Sequence, residues 1–448
     1  MDPFDFSLQL RYEDIPSPVL EKAPDLILDL LGVAAAGHRT DAAVIARNCA
    51  CGLFGASASN PSARMLFDGR VVSPAGAAFA AATQIDSFDA HDGHPLTKGH
   101  TGVAVLPALL AFGASHAPIS GREALACVIA GFEMATRAAI ALHATVPDYH
   151  TSGAWNALAV AAIGCRLQGL GRDELRQALG IAEYHGPRSQ MMREIDNPSM
   201  LHDGSGWGAL AGASAAVLAA NGFSGAPAIT VEADEVAELW SDLGDRWLID
   251  EHYIKPYPVC RWAHAVIDGA LMLRAEHGLE GPDVAAIEID TYQDAAKLAT
   301  DMPANTAKAQ YSLAFPVAAA IERGKVGVDE VMGSGLVDQD VARLVAVTTV
   351  REEPRYNPPR ARGRPSAVSL VLNDGRRLSS GTVVPRGGPD EPLSRAEISQ
   401  KFHDYAEGVL EPSRARSIER AVYGLSEVDG RLDNLLELVL TDVGSASA

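Results

Sequence analysis

Cysteine is scarce in this chain. Only five occur in 448 residues, at positions 49, 51, 127, 165 and 260, and no two form a CxxC pair. That excludes a disulfide framework and a ribbon-type zinc site, and points to reduced thiols in the cytoplasm. Positive charge is also short: 37 Lys and Arg stand against 57 Asp and Glu, for a formal net charge of -20 at pH 7. Such a surface repels phosphate backbones and anionic bilayers, so neither a nucleic-acid nor a membrane partner is expected. Aromatic residues make up 6% of the chain against 41 glycines, which predicts helices with small faces that approach closely. No apolar run is read as reaching the roughly 18 residues that span a bilayer. The acidic N-terminus MDPFDFSLQLRYEDIP lacks the basic-then-apolar order of a signal peptide. GxSxG, P-loop and HExxH motifs are missing too, which leaves serine-hydrolase, nucleotide-hydrolase and helical zinc-protease readings without direct support.

What is present is mostly helical pattern. PVLEKAPDLILDLLGVAAAG, SPAGAAFAAATQID, GVAVLPALLAFGASH and WNALAVAAIGCRLQGLG carry apolar residues at helical spacing and end on glycine or polar breaks. Ser120 and Glu123 stand in capping-box spacing before one helix, Ser394 and Glu397 before another. The pattern changes after about residue 264. VAAIEIDTYQ, LVAVTTVREE and SAVSLVLNDGRRLSSGTVV alternate like strands, with Asn373, Asp374 and Gly375 as a hairpin turn. These observations predict a mainly α protein. A large all-helical domain is formed by both chain ends (1–263 and 393–448), with a smaller α+β lid domain (264–392) inserted before the tail. The cleft between them is the expected ligand site. REEPRYNPPRARGRPS, between two strand patterns, is read as a rim loop.

One segment concentrates chemistry: DSFDAHDGHPLTKGHTGVAVLPALLAF, residues 86–112. Asp89, His91, Asp92 and His94 crowd together, and Lys98 and His100 follow just before an apolar helix. Three readings stand: a metal site on Asp89, His91 and His94, an acid–base site, or a polar loop. Gly93 and Pro95 break any helix there, which weakens the metal reading. Tyr149 and His150 precede a second apolar helix, as His100 precedes its own. Lys255, between aromatics and next to Pro256, and Arg261 sit at the predicted domain junction. In an anionic protein, such cations suit a substrate with several carboxylates: Lys98, Lys255 and Arg261 would hold it while histidines move protons. GSGWGA, residues 204–209, imitates a dinucleotide fingerprint, but no strand precedes it, so glycine-rich helix packing is the better reading.

The ordered segments SFDAHDGHPLTKGHTGVAVLPALLAFGA, YHTSGAWNALAVAAIGCRLQGL, LHDGSGWGALAGASAAVLAANGFSG, YIKPYPVCRWAHAVIDGAL and YSLAFPVAAAIERG resemble the MmgE/PrpD family over nearly the whole chain. The family includes 2-methylcitrate dehydratase, cis-aconitate decarboxylase and iminodisuccinate epimerase. The resemblance implies a homodimer, an active site between two domains, small polycarboxylate substrates and no organic cofactor; no metal is expected either. It carries catalytic roles onto His100, His150 and Lys255. Departures accompany it. The family's acid-rich D-F-D-D-T stretch becomes Ser87, Asp89, Ala90 and His91, its lysine before L-H-x-G is Ser199, and a later tyrosine is Phe315. Extra residues bring in Lys98. Losing those groups disfavours dehydration and decarboxylation, which need an acid at the leaving group or the carbanion. Epimerisation needs only two bases on opposite faces of one carbon, so an epimerase of the iminodisuccinate kind is expected. Asp89, His91 and Tyr149 would orient the bases and substrate, and Lys98 and Arg261 would hold carboxylates. The alternative is a dehydratase or decarboxylase of a citrate-like acid.

Overall fold

A computed structural model of the chain describes residues 1–57, 61–116, 118–358 and 363–444. The helices that build its main body are α1 (Ser17–Gly37), α2 (Pro74–Asp86), α3 (Gly102–His116), α4 (Gly121–Thr145), α5 (Gly153–Leu167), α6 (Arg172–His185) and α7 (Ser205–Ala220). α7 packs on α5, α2 and α6, and α5 in turn on α3 and α4. Small residues make these contacts possible. A Cβ on Gly212 would lie 2.2 Å from the Ala157 carbonyl oxygen, and one on Gly208 would lie 2.5 Å from that of Gly153. The GSGWGA stretch therefore opens a helix whose glycines let two backbones meet.

Contrary to the sequence expectation, one apolar helix is long enough to span a bilayer. Over an 18-residue window of α4 the mean hydropathy is 1.6, enough in length and composition to cross a bilayer, but 94% of that window is buried within the fold. Glu133 and Arg137 interrupt the run in sequence and pair across one turn at 3.3 Å. Such a helix is a core element. Its Ser120 caps Glu123 N–H as expected, whereas the Glu123 carboxylate turns to Arg166 at 2.7 Å.

The chain then changes character. After α8 (His264–His277) come a long strand, α9 (Ala314–Arg323) and α10 (Gln339–Ala346). A short pair in the first half, β1 (Ala63–Arg64) and β2 (Val71–Val72), shows that strands are not confined to the later region. The main sheet contains β3 (Val284–Thr291), β4 (Thr348–Glu352), β5 (Ala367–Leu372) and β6 (Arg377–Ser379) in the order β4-β3-β5-β6. β3 runs parallel to β4 and antiparallel to β5. The hairpin joining β5 to β6 turns at Gly375, whose φ of 86° favours glycine. LVAVTTVREE divides into the end of α10 and then β4. α8 packs on β5, and α9 on α8, α10 and β4.

The tail returns to the first body through α11 (Arg395–Ala406), α12 (Pro412–Tyr423) and α13 (Leu432–Val439). α11 lies along α1 and α13 against α3. Ser394 and Glu397 form the predicted capping box. Lys401 of α11 reaches Asp29 of α1 at 2.6 Å and the Ala90 carbonyl at 2.8 Å. The tail is thereby tied directly to the loop that carries the site.

Candidate active site

The loop between α2 and α3 is built by its own acids. Asp92 accepts from Gly102 N–H at 3.0 Å, which caps α3, and contacts His252 Nδ1 at 2.9 Å. Gly93 and Tyr253 exchange two backbone hydrogen bonds at 3.1 and 2.9 Å, fastening the loop to the segment that carries Lys255. Asp89 and Lys98 both take left-handed backbone angles, φ 38° and 54°, rare for residues with side chains. His94 turns away, its Nε2 3.5 Å from Glu251. The metal triad Asp89, His91 and His94 therefore does not assemble.

Lys255 is fully buried and donates to Asp89 Oδ1 at 2.5 Å and to the Asp89 carbonyl at 3.0 Å. Burial opposes its charge, but the Asp89 carboxylate more than offsets this and raises its pKa. Asp89 itself is pushed up to about 7 by burial, against the pull of Lys255. His100 Nδ1 lies 2.6 Å from the Asp92 carbonyl oxygen. A carbonyl only accepts, so Nδ1 carries the proton and a neutral ring keeps its lone pair on Nε2. That Nε2 lies 3.6 Å from Asp203 Oδ2 and 4.0 Å from Asp89 Oδ1. Burial first, then Lys255 and His91, hold the His100 pKa well below the usual histidine range. His91 stacks behind His100 with ring centroids 4.3 Å apart, its Nε2 3.4 Å from Asp86 Oδ1.

Asp89, Lys98, His100, Tyr149, Lys255 and Arg261 all line one cavity of about 20 Å³. Tyr149 donates its hydroxyl to the Lys98 carbonyl oxygen, and Lys98 Nζ sits 5.5 Å from the Tyr149 ring centroid. Arg261 lies over the Tyr253 ring at 4.5 Å and donates to the carbonyls of Arg386 and Pro385 at 2.7 and 3.0 Å. Two expected residues stand elsewhere. His91 is behind the cavity wall. His150 is not among the lining residues: its Nδ1 is 3.0 Å from the Asp148 carbonyl and its ring faces His143.

Asp203, Tyr311 and Arg364 also line the cavity, and sequence reasoning did not single them out. Asp203 sits inside the quoted LHDGSG stretch. Its Oδ1 accepts from Ser152 N–H and Oγ at 3.0 and 2.8 Å, which holds the start of α5. Tyr311 stands four residues before Phe315, the position where the family pattern has a tyrosine. Arg364 belongs to the predicted rim loop, of which residues 359–362 lie outside the described residues.

Asp89, His91 and His100 bring possible metal-ligand atoms within 4.8 Å of one another. An ammonium 2.5 Å from the shared carboxylate already supplies the positive charge there, so the electrostatics suit proton transfer better than a dication.

A mainly helical body, a small mixed sheet and a buried cation-rich cavity joining distant segments define the class. The chain belongs to the MmgE/PrpD family: residues 4–243 match the MmgE/PrpD N-terminal domain and residues 257–427 the MmgE/PrpD C-terminal domain. Among curated relatives it is 23% identical to the cis-aconitate decarboxylase-like protein oryM of Aspergillus oryzae, over 96% of this chain and 95% of that protein. It is 24% identical to a cis-aconitate decarboxylase of Aspergillus terreus, over 97% of this chain and 94% of that protein.

Proposed function

We propose that this protein is a cofactor-independent epimerase or racemase of a small dicarboxylate of the iminodisuccinate kind. The observation that carries the proposal is one cavity lined both by a histidine whose Nδ1 is tied to a backbone carbonyl and by a buried ammonium paired with Asp89. His100 is held unprotonated, with its free lone pair on Nε2, while Lys255 is held protonated. Groups pushed apart in this way divide into base and acid. His100 Nε2 takes the proton from the carbon alpha to a carboxylate. The electron pair left behind spreads into that carboxylate, where positive charge stabilises it by several kcal/mol. The Lys255 ammonium returns a proton to the carbon, and the two groups re-equilibrate through solvent. Nothing else is consumed or released, so atoms and charge balance.

We assign Lys98 and Arg261 to the carboxylates, Tyr149 to orientation of the bound acid, and Asp89 with His91 to holding the acid–base pair. We also propose the division into a helical domain (1–263 and 393–448) and a lid (264–392), which the packing of α8, α9 and α10 with the main sheet supports. A space of about 20 Å³ takes roughly one water. A dicarboxylate therefore enters only when these segments part, and the homodimer is proposed to persist through that motion.

The second reading is decarboxylation or dehydration of a citrate-like acid, favoured by the names of the relatives. Against it stands Ser199, where the family pattern has lysine: its hydroxyl donates to Glu194 Oε2 at 2.8 Å, and it lines a groove outside the cavity. Incubating metal-stripped protein separately with iminodisuccinate, 2-methylcitrate and cis-aconitate separates the two readings. Interconversion of iminodisuccinate stereoisomers on chiral chromatography is expected. Loss of water or CO2 from the other acids, with iminodisuccinate unchanged, would establish the second reading instead.

A further inference from the structure

The cavity carries more cations than its own acids neutralise. Lys98, Lys255, Arg261 and Arg364 line it together with Asp89 and Asp203. Lys255 is matched by Asp89, and Asp203 accepts two hydrogen bonds from Ser152. Lys98, Arg261 and Arg364 have no carboxylate within ion-pair distance among the described residues. Arg261 is anchored by backbone carbonyls and an aromatic face, so its position is set before any ligand arrives. Arg364 differs, because no side-chain hydrogen bond fixes its guanidinium among the described residues. It is half-buried, the polar groups it interacts with are the uncharged phenols of Tyr149, Tyr253 and Tyr292 and the thiol of Cys260, and it repels Arg261. Its backbone φ of 58° follows Gly363 at 76°. A left-handed arginine is strained, a conformation that persists where surrounding structure demands it.

We propose that Arg364 is a substrate-binding residue that clamps the second carboxylate of a dianion and makes the site select a dicarboxylate over its monoanionic analogue. The inference rests on reading this cavity as the substrate site. Four cations against two carboxylates leave the cavity lining a net excess of two positive charges, which matches the two carboxylates of a dianion, and a guanidinium fork meets a carboxylate with paired hydrogen bonds. Arg364 comes from the loop before β5, while Lys98 comes from the loop before α3. One dianion held by both would therefore link two regions of the chain far apart in sequence.

The test is binding, which does not require turnover. Calorimetric titration of the full chain with succinate and with its monoamide, succinamate, compares wild type, Arg364→Gln and Arg364→Lys. Wild type should bind succinate at least tenfold more tightly than succinamate. Arg364→Gln should lose tenfold or more in succinate affinity and most of that preference, and Arg364→Lys should recover part of both. Arg355→Gln, on the exposed part of the same loop and paired with Glu353, should bind as wild type, and matching thermal midpoints establish that each variant is folded. Wild type without the preference, or Arg364→Gln that keeps it, would overturn the proposal. Succinate selectivity that depends on Arg364 in a protein that does not epimerise would leave this inference standing and remove only the reaction proposed above.

Discussion

At the scale of single residues, proton transfer depends on which nitrogen of His100 is free. Asp92 fixes that answer through its carbonyl, and burial keeps the ring neutral. His100→Gln should therefore lower turnover by ~10²-fold or more while leaving the thermal midpoint near that of wild type. His150→Ala is the informative companion. The family pattern gives His150 a catalytic place, but its ring lies against Asp148 and His143 outside the cavity lining. The geometry predicts a much smaller loss than for His100→Gln, and equal losses in steady-state kinetics would return His150 to the proton path. His100 and Lys255 were legible in sequence because each stands at a boundary, one before an apolar helix, the other beside a proline. Arg364 and Asp203 were not. A loop arginine and an aspartate among glycines carry no local signal, and only the folded chain brings them to the same cavity.

Elements set where those residues stand. α3 begins where it does because Asp92 caps it, and the same carboxylate reaches His252. Asp92→Ala leaves two buried donors without their acceptor and should destabilise the protein by about 2 kcal/mol or more in denaturant titration. Unchanged stability would show the cap to be dispensable. The α5–α7 contact makes a separate demand. Gly212→Val must displace the Ala157 backbone, and overpacking of this kind typically costs ~1–3 kcal/mol, seen as a lower denaturation midpoint with the slope unchanged. Helical periodicity showed these elements plainly, since long amphipathic or apolar segments with glycine stops leave few alternatives. The two-residue pair β1–β2 left no such trace, because two residues are too few to alternate. The capping spacing at Ser120 was half fulfilled: the serine caps, but Arg166 offers Glu123 a charged partner that a backbone N–H does not match.

The molecule as a whole carries a formal charge of -20 around a cavity of the opposite sign, and it buries several histidines in neutral form. His252, fully buried, is held down to about 4, by burial first and against the pull of Asp92. The unfolded chain takes up that proton near its ordinary value of roughly 6.5, so acidification favours unfolding through the window between the two values. Relative to a His252→Gln variant, the wild type should lose on the order of 3 kcal/mol of stability between pH 7 and pH 4. Parallel pH dependences in the two proteins would contradict this. Charge and composition correctly suggested an anionic surface and close-packed helices, but the sign of the cavity emerges only from tertiary convergence. In the proposed reaction one proton leaves and another arrives at a carbon beside a carboxylate. The most direct measurement follows iminodisuccinate in D2O by NMR at early turnover. One deuterium at the inverted carbon of the product, with the remaining substrate still protiated, is the result predicted. Inverted product that stays fully protiated while the buffer is D2O, or deuterium entry without inversion, would contradict the account.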